Sequence, residues 1–512
     1  MKNILHTLFL VGVGIAHAQI TPPIISPASA IINYGQSVSL SVSNCNGTVV
    51  WSDGQSGTSI SVSPKQSSLL SAVCIVGNQK SASSIPTQIQ VNLTNSPCYN
   101  GTDISMNISG VGYRYESGTY INATNKIEPD ASVQYKAHNN VQLNAGFEAK
   151  SGSVFKANIR PCDDYHTLVT REVKTGLTMP WEILWGPDDY IWMTEKGGTI
   201  SRLNPADGTK NVILTISEVL NYGEGGLLGM VLHPDFANNP YVYIVYNYSI
   251  PPHNLPNDVR EKVVRYTYSN GVLGSPLILF DNIQGWVNHN GSRLVITPDL
   301  KLFITVGDAA NTSTPQNDNS VNGKILRINL DGTIPSDNPN PVQTPLGAIW
   351  SKGHRNPQGM VYVNDKLYVT SHGDGTEDEI NLVVKSGNYG YPNVVGPCDT
   401  PAETSFCTAN STIDPIFSSG NVTWAFCGLD YYNSDTYPKW KNHLLMVSLK
   451  NQTFYTFKLS NDGNTIVGQP TLYYVGRFGR LRDIAISPAG RVYICTSNGS
   501  NDKVIEITPL VD

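Results

Sequence analysis

Residues 285–308 contain the two side chains best placed for acid–base chemistry. His289 lies in a glycine-bearing loop just before an apolar run, and Asp308 lies just past the end of the next predicted strand. An imidazole titrates near neutral pH and suits a general base. The residues between them have the pattern of a strand, a Pro-Asp turn and a second strand. Polar side chains held at strand ends by a rigid sheet are typical of catalytic sites.

Five stretches of the chain are more polar than simple connecting loops require. They are Tyr222–Gly226, Asn288–Gly291, Gly353–Gly359, Ser371–Glu379 and Arg477–Asp483. Ligand sites form where such loops converge at one mouth of a closed fold. We therefore expect the fold to bring these stretches together.

A turn followed by a strand recurs from about residue 166 onward, and this pattern indicates the scaffold. The copies begin at Gly186-Pro187-Asp188, His233-Pro234-Asp235, Thr297-Pro298-Asp299, Asn364-Asp365 and Ser487-Pro488. From Pro234 to Pro298 is 64 residues and from Pro298 to Asn364 is 66, whereas Asn364 to Pro488 is 124, which leaves room for one more unit. Repeats of this length are typical of propeller blades, so we predict an all-β, six-bladed β-propeller over residues 164–512.

Two smaller modules precede the predicted propeller. Residues 19–96 alternate as short strands, and the order Cys45, Trp51, Cys74 favours a small immunoglobulin-like (Ig-like) β-sandwich. Residues 97–163 carry inward apolar positions at a period near ten residues, which predicts a short stacked-β module. We assign neither module a catalytic role and expect them to serve as spacers or to contact a surface or polysaccharide.

Residues 1–18 have the pattern of a secretory signal peptide. Lys2 supplies positive charge, an apolar run follows, and Ala16-His17-Ala18 is a small-x-small cleavage site. The run is far shorter than the 18 residues of a membrane anchor. We expect a mature chain that begins at Gln19 and is secreted or periplasmic.

An oxidising compartment makes the eight cysteines candidates for disulfides. Cys45 with Cys74 and Cys98 with Cys162 would each lie within one N-terminal unit. Cys398 with Cys407 would close a short loop, which leaves Cys427 and Cys495 unassigned. No pair has the spacing of a zinc finger.

The overall composition excludes some partners and favours a turn-rich fold. Charged residues make up 14% of the chain and the net charge is -6, so neither nucleic acid nor another polyanion is an expected partner. The 26 Tyr, 45 Gly and 32 Pro favour an all-β protein with many turns.

Several motifs, taken in order, resemble those of one known family. They are Leu184–Asp188, Gly226–Gly229, His289 with Arg293-Leu294, Gly307-Asp308, Gly323–Arg327, Gly353–Gly359 and Asp378–Asn381. The chain from residue 168 to 510 thereby resembles the soluble glucose and aldose sugar dehydrogenases, six-bladed propellers that use pyrroloquinoline quinone (PQQ) and calcium. The resemblance implies a quinoprotein oxidoreductase that oxidises the anomeric hydroxyl of aldoses to lactones and passes electrons to an external acceptor.

The resemblance also implies roles for three catalytic residues. His289 corresponds to the base that removes the proton of the anomeric hydroxyl as hydride moves to the quinone. Asp308 corresponds to the carboxylate that orients the imidazole ring. Arg355 corresponds to a residue that holds the reacting quinone carbonyl, where a guanidinium favours the charge of the reduced form.

A second set of residues corresponds to the family's cofactor site. It comprises Arg355, Asn356, Lys450, Arg480, Arg482 and the aromatic Trp424. PQQ carries three carboxylates and needs fixed positive charge, and arginine pairs with carboxylate through two donors.

The resemblance places calcium and sugar at two further loops. Backbone oxygens of Gly373 and Asp374 would hold Ca²⁺, and Asp378 would orient a bound water; hard oxygen ligands suit this ion. Glu224 and Asn288 correspond to positions near the sugar. Glu224 stands where the family commonly has glutamine, and Asn288 where the best-known glucose enzymes have aspartate, so these two residues bear on which sugar is used.

Two functions from other classes stay open at the level of sequence. One is an extracellular propeller that binds a partner and has lost catalysis; the joint presence of the basic residues and His289 argues against it. The other is a calcium-dependent sugar lactonase, for which the Lys and Arg set would have no purpose. The sequence identifies neither the sugar, nor the electron acceptor, nor the oligomeric state.

Overall fold

The computed structural model describes residues 20–33, 36–63, 68–77, 79–92, 102–108, 113–117, 120–129, 131–137, 140–159 and 168–509. The chain divides into two compact units, Met1–Asn100 and Gly101–Asp512. In the described residues, helix is confined to α1 (Pro401–Asn410) and two 3-10 turns, Pro345–Ala348 and Pro438–Trp440. None of these is long and apolar enough to cross a membrane. The predicted signal peptide and the predicted Cys98–Cys162 bridge lie outside the described residues.

Nine short strands form the first unit. They are β1 (Ile24–Ser26), β2 (Ser29–Asn33), β3 (Val38–Ser43), β4 (Thr48–Trp51), β5 (Ser59–Val62), β6 (Ser68–Leu70), β7 (Ala72–Val76), β8 (Gln79–Lys80) and β9 (Thr87–Asn92). They pair as three small sheets, β1-β3-β5, β2-β9-β6 and β4-β7-β8. Leu40, Trp51 and Ile89 are buried in one shared core. The predicted Cys45–Cys74 disulfide is present, with the two Cα atoms 5.5 Å apart. The Ig-like interpretation stays a prediction.

Eight strands open the second unit as a stack of parallel strands. They are β10 (Thr102–Ile104), β11 (Tyr113–Ser117), β12 (Tyr120–Ala123), β13 (Lys126–Ile127), β14 (Ser132–Ala137), β15 (Asn140–Leu143), β16 (Glu148–Ala149) and β17 (Val154–Ile159). The parallel sets are β10-β12-β15, β13-β16 and β11-β14-β17. Ile121 pairs with Thr102 on one side and Val141 on the other. One coil therefore takes about twice the predicted ten residues, because each coil contains more than one strand.

The remaining 24 strands form six groups of four. Their bounds are β18 (Leu168–Leu177), β19 (Pro180–Trp185), β20 (Ile191–Glu195), β21 (Thr199–Leu203), β22 (Lys210–Thr215), β23 (Leu227–Leu232), β24 (Tyr241–Ser249), β25 (Val259–Ser269), β26 (Val272–Gln284), β27 (Gly291–Ile296), β28 (Lys301–Val306), β29 (Lys324–Asn329), β30 (Ile349–Lys352), β31 (Asn356–Val363), β32 (Lys366–His372), β33 (Glu379–Val383), β34 (Phe417–Ser418), β35 (Phe426–Tyr432), β36 (His443–Ser448), β37 (Phe454–Lys458), β38 (Thr471–Tyr473), β39 (Leu481–Ile486), β40 (Val492–Thr496) and β41 (Asp502–Pro509).

The groups are antiparallel and are arranged as a closed ring. Five follow chain order, from β19–β22 to β35–β38, and the sixth has the order β18-β41-β40-β39. The first strands contact one another in succession, β19 to β23, β27, β31, β35 and β39, and β39 contacts β19 again. Strand β18 pairs with β41, so the first and last strands of this region complete one group and close the ring.

Alternation along each strand fills the space between neighbouring groups. In β28, Leu302 and Ile304 pack with residues of β24 such as Tyr243. Phe303, on the other face of β28, packs with Met360 and Val369 of the next group. Successive side chains of a strand point to opposite faces, so a sheet with apolar residues on both faces must lie between two others.

The stack shares a sheet with one group of the ring. Strand β11 pairs in parallel with β38 at Tyr115 and Leu472, and the combined sheet has the order β17-β14-β11-β38-β37-β36-β35. Side chains of the stack such as Ile121 and of the ring such as Tyr455 belong to one core. The predicted domain boundary at residues 163 and 164 therefore lies within a single compact unit.

Candidate active site

All five polar stretches lie at one edge of the ring. In each group the first strand begins, and the antiparallel second strand ends, at this edge, which we call the site face. Tyr222–Gly226 precedes β23, Asn288–Gly291 leads into β27, Gly353–Gly359 leads into β31, Ser371–Glu379 joins β32 to β33, and Arg477–Asp483 leads into β39. The predicted turns at Pro187, Pro234, Pro298, Asn364 and Pro488 join first to second strands and lie at the opposite edge.

His289 and Asp308 form a hydrogen-bonded pair at the site face. His289 Nδ1 and Asp308 Oδ1 are 2.8 Å apart. The side chain of Asp308 is 1% exposed and that of His289 is 13% exposed. An ionised carboxylate can only accept, so Nδ1 carries the proton and Nε2 keeps its lone pair. The pair therefore presents a proton acceptor at Nε2.

Backbone contacts fix the position of Asp308. Its Oδ1 also accepts from the N–H of Ala310 at 2.8 Å, and its own N–H donates to the carbonyl of Arg355 at 2.8 Å. Its Oδ2 is buried and has no hydrogen-bond partner among the described residues. A rigidly held carboxylate of this kind keeps the imidazole ring in one orientation.

The backbone at His289 has an unfavourable conformation that a glycine makes possible. The φ angle of His289 is 57°, in the left-handed region. A Cβ at Gly307 would lie 1.9 Å from the carbonyl oxygen of His289, so only glycine permits this approach. Local strain of this kind is common at functional sites.

Glu224 contacts the loop of His289 from the neighbouring group. Its Oε2 accepts from the N–H of His289 at 3.0 Å. Burial opposes ionisation of this carboxyl, but His372, the His289 amide and Arg482 outweigh that effect, so the pKa of Glu224 is lowered. Glu224 therefore places a negative charge beside the His289 loop. Asn288 is half-buried and precedes His289 in the same loop.

Two of the predicted cofactor cations are exposed. Lys450 follows β36 and Arg480 precedes β39. Within the part of the chain that the structure describes, neither side chain forms an ion pair or hydrogen bond. Their hydrogen bonds are made by backbone groups: the N–H of Lys450 donates to the carbonyl of Trp424, the N–H of Arg480 donates to Asn498 Oδ1, and the carbonyl of Arg480 accepts from the N–H of Ser497. These charges are available to an anionic ligand.

Arg355 and Arg482 are more buried and are partly engaged. Arg355 Nη2 lies 3.2 Å from Asp374 Oδ1. Arg482 Nη1 donates to Gln358 Oε1 at 2.6 Å, and its guanidinium lies 5.5 Å from the ring centre of Trp181. The Nε atoms of both arginines are buried without a partner among the described residues. Each guanidinium thus keeps a donor that a ligand could use.

Asn356 and Trp424 differ in how they are placed. Asn356 is fully buried at the start of β31, and its Oδ1 accepts from the N–H of Gly291 at 3.1 Å, two residues from His289. Trp424 is 4% exposed and stacks on Tyr455, with ring centres 5.0 Å apart. In this arrangement the indole belongs to the core, while its backbone carbonyl accepts from Lys450.

Asp378 ties two loops of the site face together. It is fully buried and accepts from the N–H groups of Gly373 at 2.9 Å and of Trp424 and Ala425 at 2.6 Å each. Thr423 Oγ1 donates to the same carboxylate at 2.9 Å. Its position in the structure is that of an acceptor for backbone amides, which orders the turn that contains Gly373.

The Gly373-Asp374 turn offers backbone oxygens rather than a side-chain cluster. The carbonyls of both residues accept no hydrogen bond within the described residues. No group of three or more His, Cys, Asp or Glu side chains is arranged to hold a metal in the same residues. Oxygen ligands from a turn of this kind are compatible with Ca²⁺.

Three residues at the site face were not among the predicted ones. Lys196 is 9% exposed and its Nζ donates to the carbonyl of Gly223 at 2.5 Å. Burial lowers the pKa of Lys196, helped by Arg482 and opposed by Glu224. Gln358 lies between Arg482 and Asn356, and His372 lies between Asn356 and the carbonyl of Phe426. Lys196 directly follows a strand, which is the same positional signal that identified Asp308.

Other predicted or unassigned groups lie in the scaffold. His354 is buried and stacks on Tyr389 at 4.7 Å, and burial followed by the charge of Lys324 lowers its pKa to about 3. The predicted Cys398–Cys407 disulfide is present. Cys427 and Cys495 are buried and form no disulfide within the described residues.

A buried ionic cluster braces the first strands beneath the site face. Arg293 Nη1 lies 2.5 Å from Glu182 Oε2 and 3.0 Å from Asp483 Oδ1. Burial raises the pKa of both carboxyls, and Arg293 opposes that shift. The three residues lie on β27, β19 and β39, so the cluster joins first strands of three groups.

Comparison with known proteins places this propeller-like, nearly all-β ring among the sugar oxidoreductases. The chain belongs to the Glucose / Sorbosone dehydrogenase family, whose model matches residues 177–506. This confirms the resemblance drawn from the motifs.

Three known proteins illustrate the similarity. Quinoprotein glucose dehydrogenase B of Acinetobacter calcoaceticus is 32% identical over 409 residues, covering 64% of this chain and 85% of that protein. Aldose sugar dehydrogenase YliI of Escherichia coli strain K12 is 29% identical over 358 residues, covering 67% and 93%. The structure of the PQQ-bound form of aldose sugar dehydrogenase from Streptomyces coelicolor superposes with a TM-score of 0.56 at 28% identity, covering 67% of this chain and 99% of the other.

Proposed function

We propose that this protein oxidises the anomeric hydroxyl of aldose sugars to lactones with PQQ and calcium, and passes the electrons to an external acceptor. The observation that carries the proposal is the His289–Asp308 pair at the same face as Lys450 and Arg480, two cations without a side-chain partner in the described part of the chain. This reaction needs a proton acceptor beside a site for a small tricarboxylate cofactor. We also propose that the six strand groups are six propeller blades and that residues 19–96 form an Ig-like module.

The donor set of the site face fits the cofactor. PQQ carries three carboxylates, and Lys450, Arg480 and Arg482 supply positive charge for them. Arg355 and Asn356 would hold its reacting carbonyl, and the partnerless Nε of Arg355 supports this role. Trp424 would take part only through a change of its buried, stacked position. When bound, PQQ supplies the hydride acceptor.

The chain's own residues would supply the proton chemistry. His289 Nε2 would take the proton of the anomeric hydroxyl while a hydride leaves the anomeric carbon. The product is then a neutral lactone rather than a protonated carbonyl. Asp308 stabilises the imidazolium that forms. Glu224 would accept hydrogen bonds from the other sugar hydroxyls, and the amide of Asn288 could both accept from and donate to them, since both residues lie beside His289.

Calcium would be held by the carbonyls of Gly373 and Asp374. Both accept no hydrogen bond within the described residues, which supports the assignment. Asp378 would contribute indirectly, because its carboxylate is occupied by backbone amides and fixes the turn. A sugar substrate and an electron acceptor are the expected partners. The Cys45–Cys74 and Cys398–Cys407 disulfides fit the proposed secreted or periplasmic location.

Reconstitution tests the proposal. The purified chain should oxidise aldoses with a dye acceptor only after PQQ and Ca²⁺ are both added. Each addition is omitted in turn, and a sugar lactone is supplied in a parallel assay. Full activity after exhaustive chelation and without added PQQ would remove the proposal. Hydrolysis of the lactone without oxidation of the sugar would favour the lactonase.

A further inference from the structure

Gln358 lies between two of the candidate cofactor residues and contacts both. It is 5% exposed on β31. Its Oε1 accepts from Arg482 Nη1 at 2.6 Å, and its Nε2 donates to Asn356 Oδ1 at 3.1 Å. Its backbone carbonyl accepts from Arg293 Nε at 2.9 Å. The side-chain amide of Gln358 is thus held at both its oxygen and its nitrogen, and the backbone of the residue is held separately.

The hydrogen bonds through Gln358 have one direction. Arginine only donates, so Gln358 must present its oxygen to Arg482 and its nitrogen to Asn356. At the other end the carbonyl of Phe426 only accepts, from His372 Nε2 at 2.6 Å. His372 Nδ1 then accepts from Asn356 Nδ2 at 3.4 Å. Both ends therefore require the same orientation of the two amides.

This directed chain connects four strand groups of the ring. Arg482 belongs to β39, Gln358 and Asn356 to β31, and Phe426 to β35. Asn356 Oδ1 also accepts from the N–H of Gly291, at the start of β27. An amide whose oxygen and nitrogen each bond a fixed neighbour does not turn over, so these hydrogen bonds hold Gln358 and Asn356 in one orientation.

We propose that Gln358 is a positioning residue that aims the guanidinium of Arg482 and the amide of Asn356 at the cofactor site. By holding Nη1 of Arg482, it leaves Nη2, which has no partner within the described residues, for a carboxylate of the ligand. By donating to Asn356 Oδ1, it keeps the two ends of that amide in place. The proposal rests on the proposed function, because PQQ is the ligand that Arg482 is aimed at.

A double-mutant cycle on cofactor affinity tests whether Gln358 acts through Arg482. Gln358→Met keeps the length of the side chain and removes both hydrogen bonds. PQQ is titrated into the apoprotein and followed by absorbance, with Arg482→Ala and Arg480→Ala each made in the wild-type and Gln358→Met backgrounds. Arg480 is the control, since it is exposed, lies two residues away and does not contact Gln358.

Gln358→Met should weaken PQQ binding by about tenfold, the effect of losing one hydrogen bond to a charged group. In the Gln358→Met background, the factor by which Arg482→Ala weakens PQQ binding should be about tenfold smaller than in the wild type. Arg480→Ala should cost the same in both. The melting temperature of each apoprotein is measured to separate positioning from a loss of folding stability.

Gln358→Glu gives a second route if the methionine variant does not fold. Its carboxylate competes with the ligand for Arg482, so Arg482→Ala should again cost less than in the wild type. Equal losses from Arg482→Ala in every background would overturn the positioning role. Wild-type protein that binds no PQQ would instead remove the proposed function, and the role of Gln358 with it.

Discussion

The site face combines two kinds of polar group that differ in how they are held. His289 and Asp308 are mostly buried, bonded to each other and fixed by backbone amides. Lys450 and Arg480 are exposed and have no side-chain partner in the described part of the chain. A base must be oriented before the substrate arrives, whereas a charge that serves a ligand must stay unpaired until it binds. We therefore expect substitutions of His289 or Asp308 to alter the rate of sugar oxidation, and substitutions of Lys450 or Arg480 to alter the affinity for the cofactor.

The strongest test of that division is His289→Ala. Removing the proton acceptor should lower the single-turnover rate of cofactor reduction by about 10²–10⁴, while PQQ affinity stays unchanged because the cations are intact. His443→Ala is the control, since His443 begins β36 at the opposite edge. A His289 variant that reduces its cofactor within a few-fold of the wild-type rate would place the base elsewhere.

Asp308→Asn changes the orientation of the base without removing it. The amide can donate to Nδ1, so the ring proton moves to Nε2 and the lone pair is no longer presented to the substrate. Loss of one charge-assisted hydrogen bond predicts a fall in kcat of about 10- to 150-fold. Steady-state rates with saturating sugar measure it. An unchanged kcat would show that Asp308 serves only folding.

Arg480→Ala tests the exposed set. PQQ affinity should fall by about tenfold, since an exposed charge-assisted contact is lost, and kcat at saturating PQQ should be kept. Arg477→Ala is the matched control, because Arg477 is also exposed and its guanidinium bonds Thr170 Oγ1. Equal losses from the two variants would mean that Arg480 acts only through the overall charge of the rim.

A buried carboxyl next to the His289 loop makes folding stability, rather than activity, depend on pH. Glu261 accepts from Ser292 Oγ at 2.5 Å, and burial raises its pKa to about 8, with Ser292 opposing the shift. The folded state therefore holds this proton where the unfolded state has lost it. Stability from this group is complete below the ordinary carboxyl pKa and is lost as pH rises toward 8, by at most about 1.4 kcal/mol per pH unit.

Glu261→Gln should remove that dependence, because the amide stays neutral and keeps an oxygen for Ser292. Urea unfolding at pH 5, 6.5 and 8 provides the measurement. We expect similar stability at pH 5 and a more stable variant at pH 8. A parallel pH dependence in both proteins would show that Glu261 is ionised in the folded state.

Sequence reasoning was most successful where the signal is local. The turns at Pro187, Pro234 and Pro298 each join a first to a second strand, and the polar loops gather at the other edge. His289 and Asp308 could be found because both flank strands of one group. Their separation in sequence is short, and strand alternation fixes where each points.

Contacts between groups could not be found in the same way. The link from Arg482 through Gln358 to Asn356 depends on which strand groups are neighbours and on how an amide is turned. The pairing of β11 with β38 joins residues more than 350 positions apart, and no local sequence pattern predicts it. The length of a coil in the stack could not be predicted either: β12, β13 and β14 form one coil and β15, β16 and β17 the next, and the apolar spacing of these strands also fits a ten-residue period.

Because β11 pairs with β38, the open edge of that sheet lies at a different strand than it would in the ring alone. Without it, Thr471–Tyr473 would expose unpaired N–H and C=O groups; with it, the last strand among those described in that sheet is β17. Open edges invite pairing with other chains, and proteins protect them with charged residues and with short strands. The charged residue of β17 is Lys156, between Phe155 and Ala157. We therefore expect β17, a strand far in sequence from any candidate site residue, to determine how readily this sheet pairs with another chain.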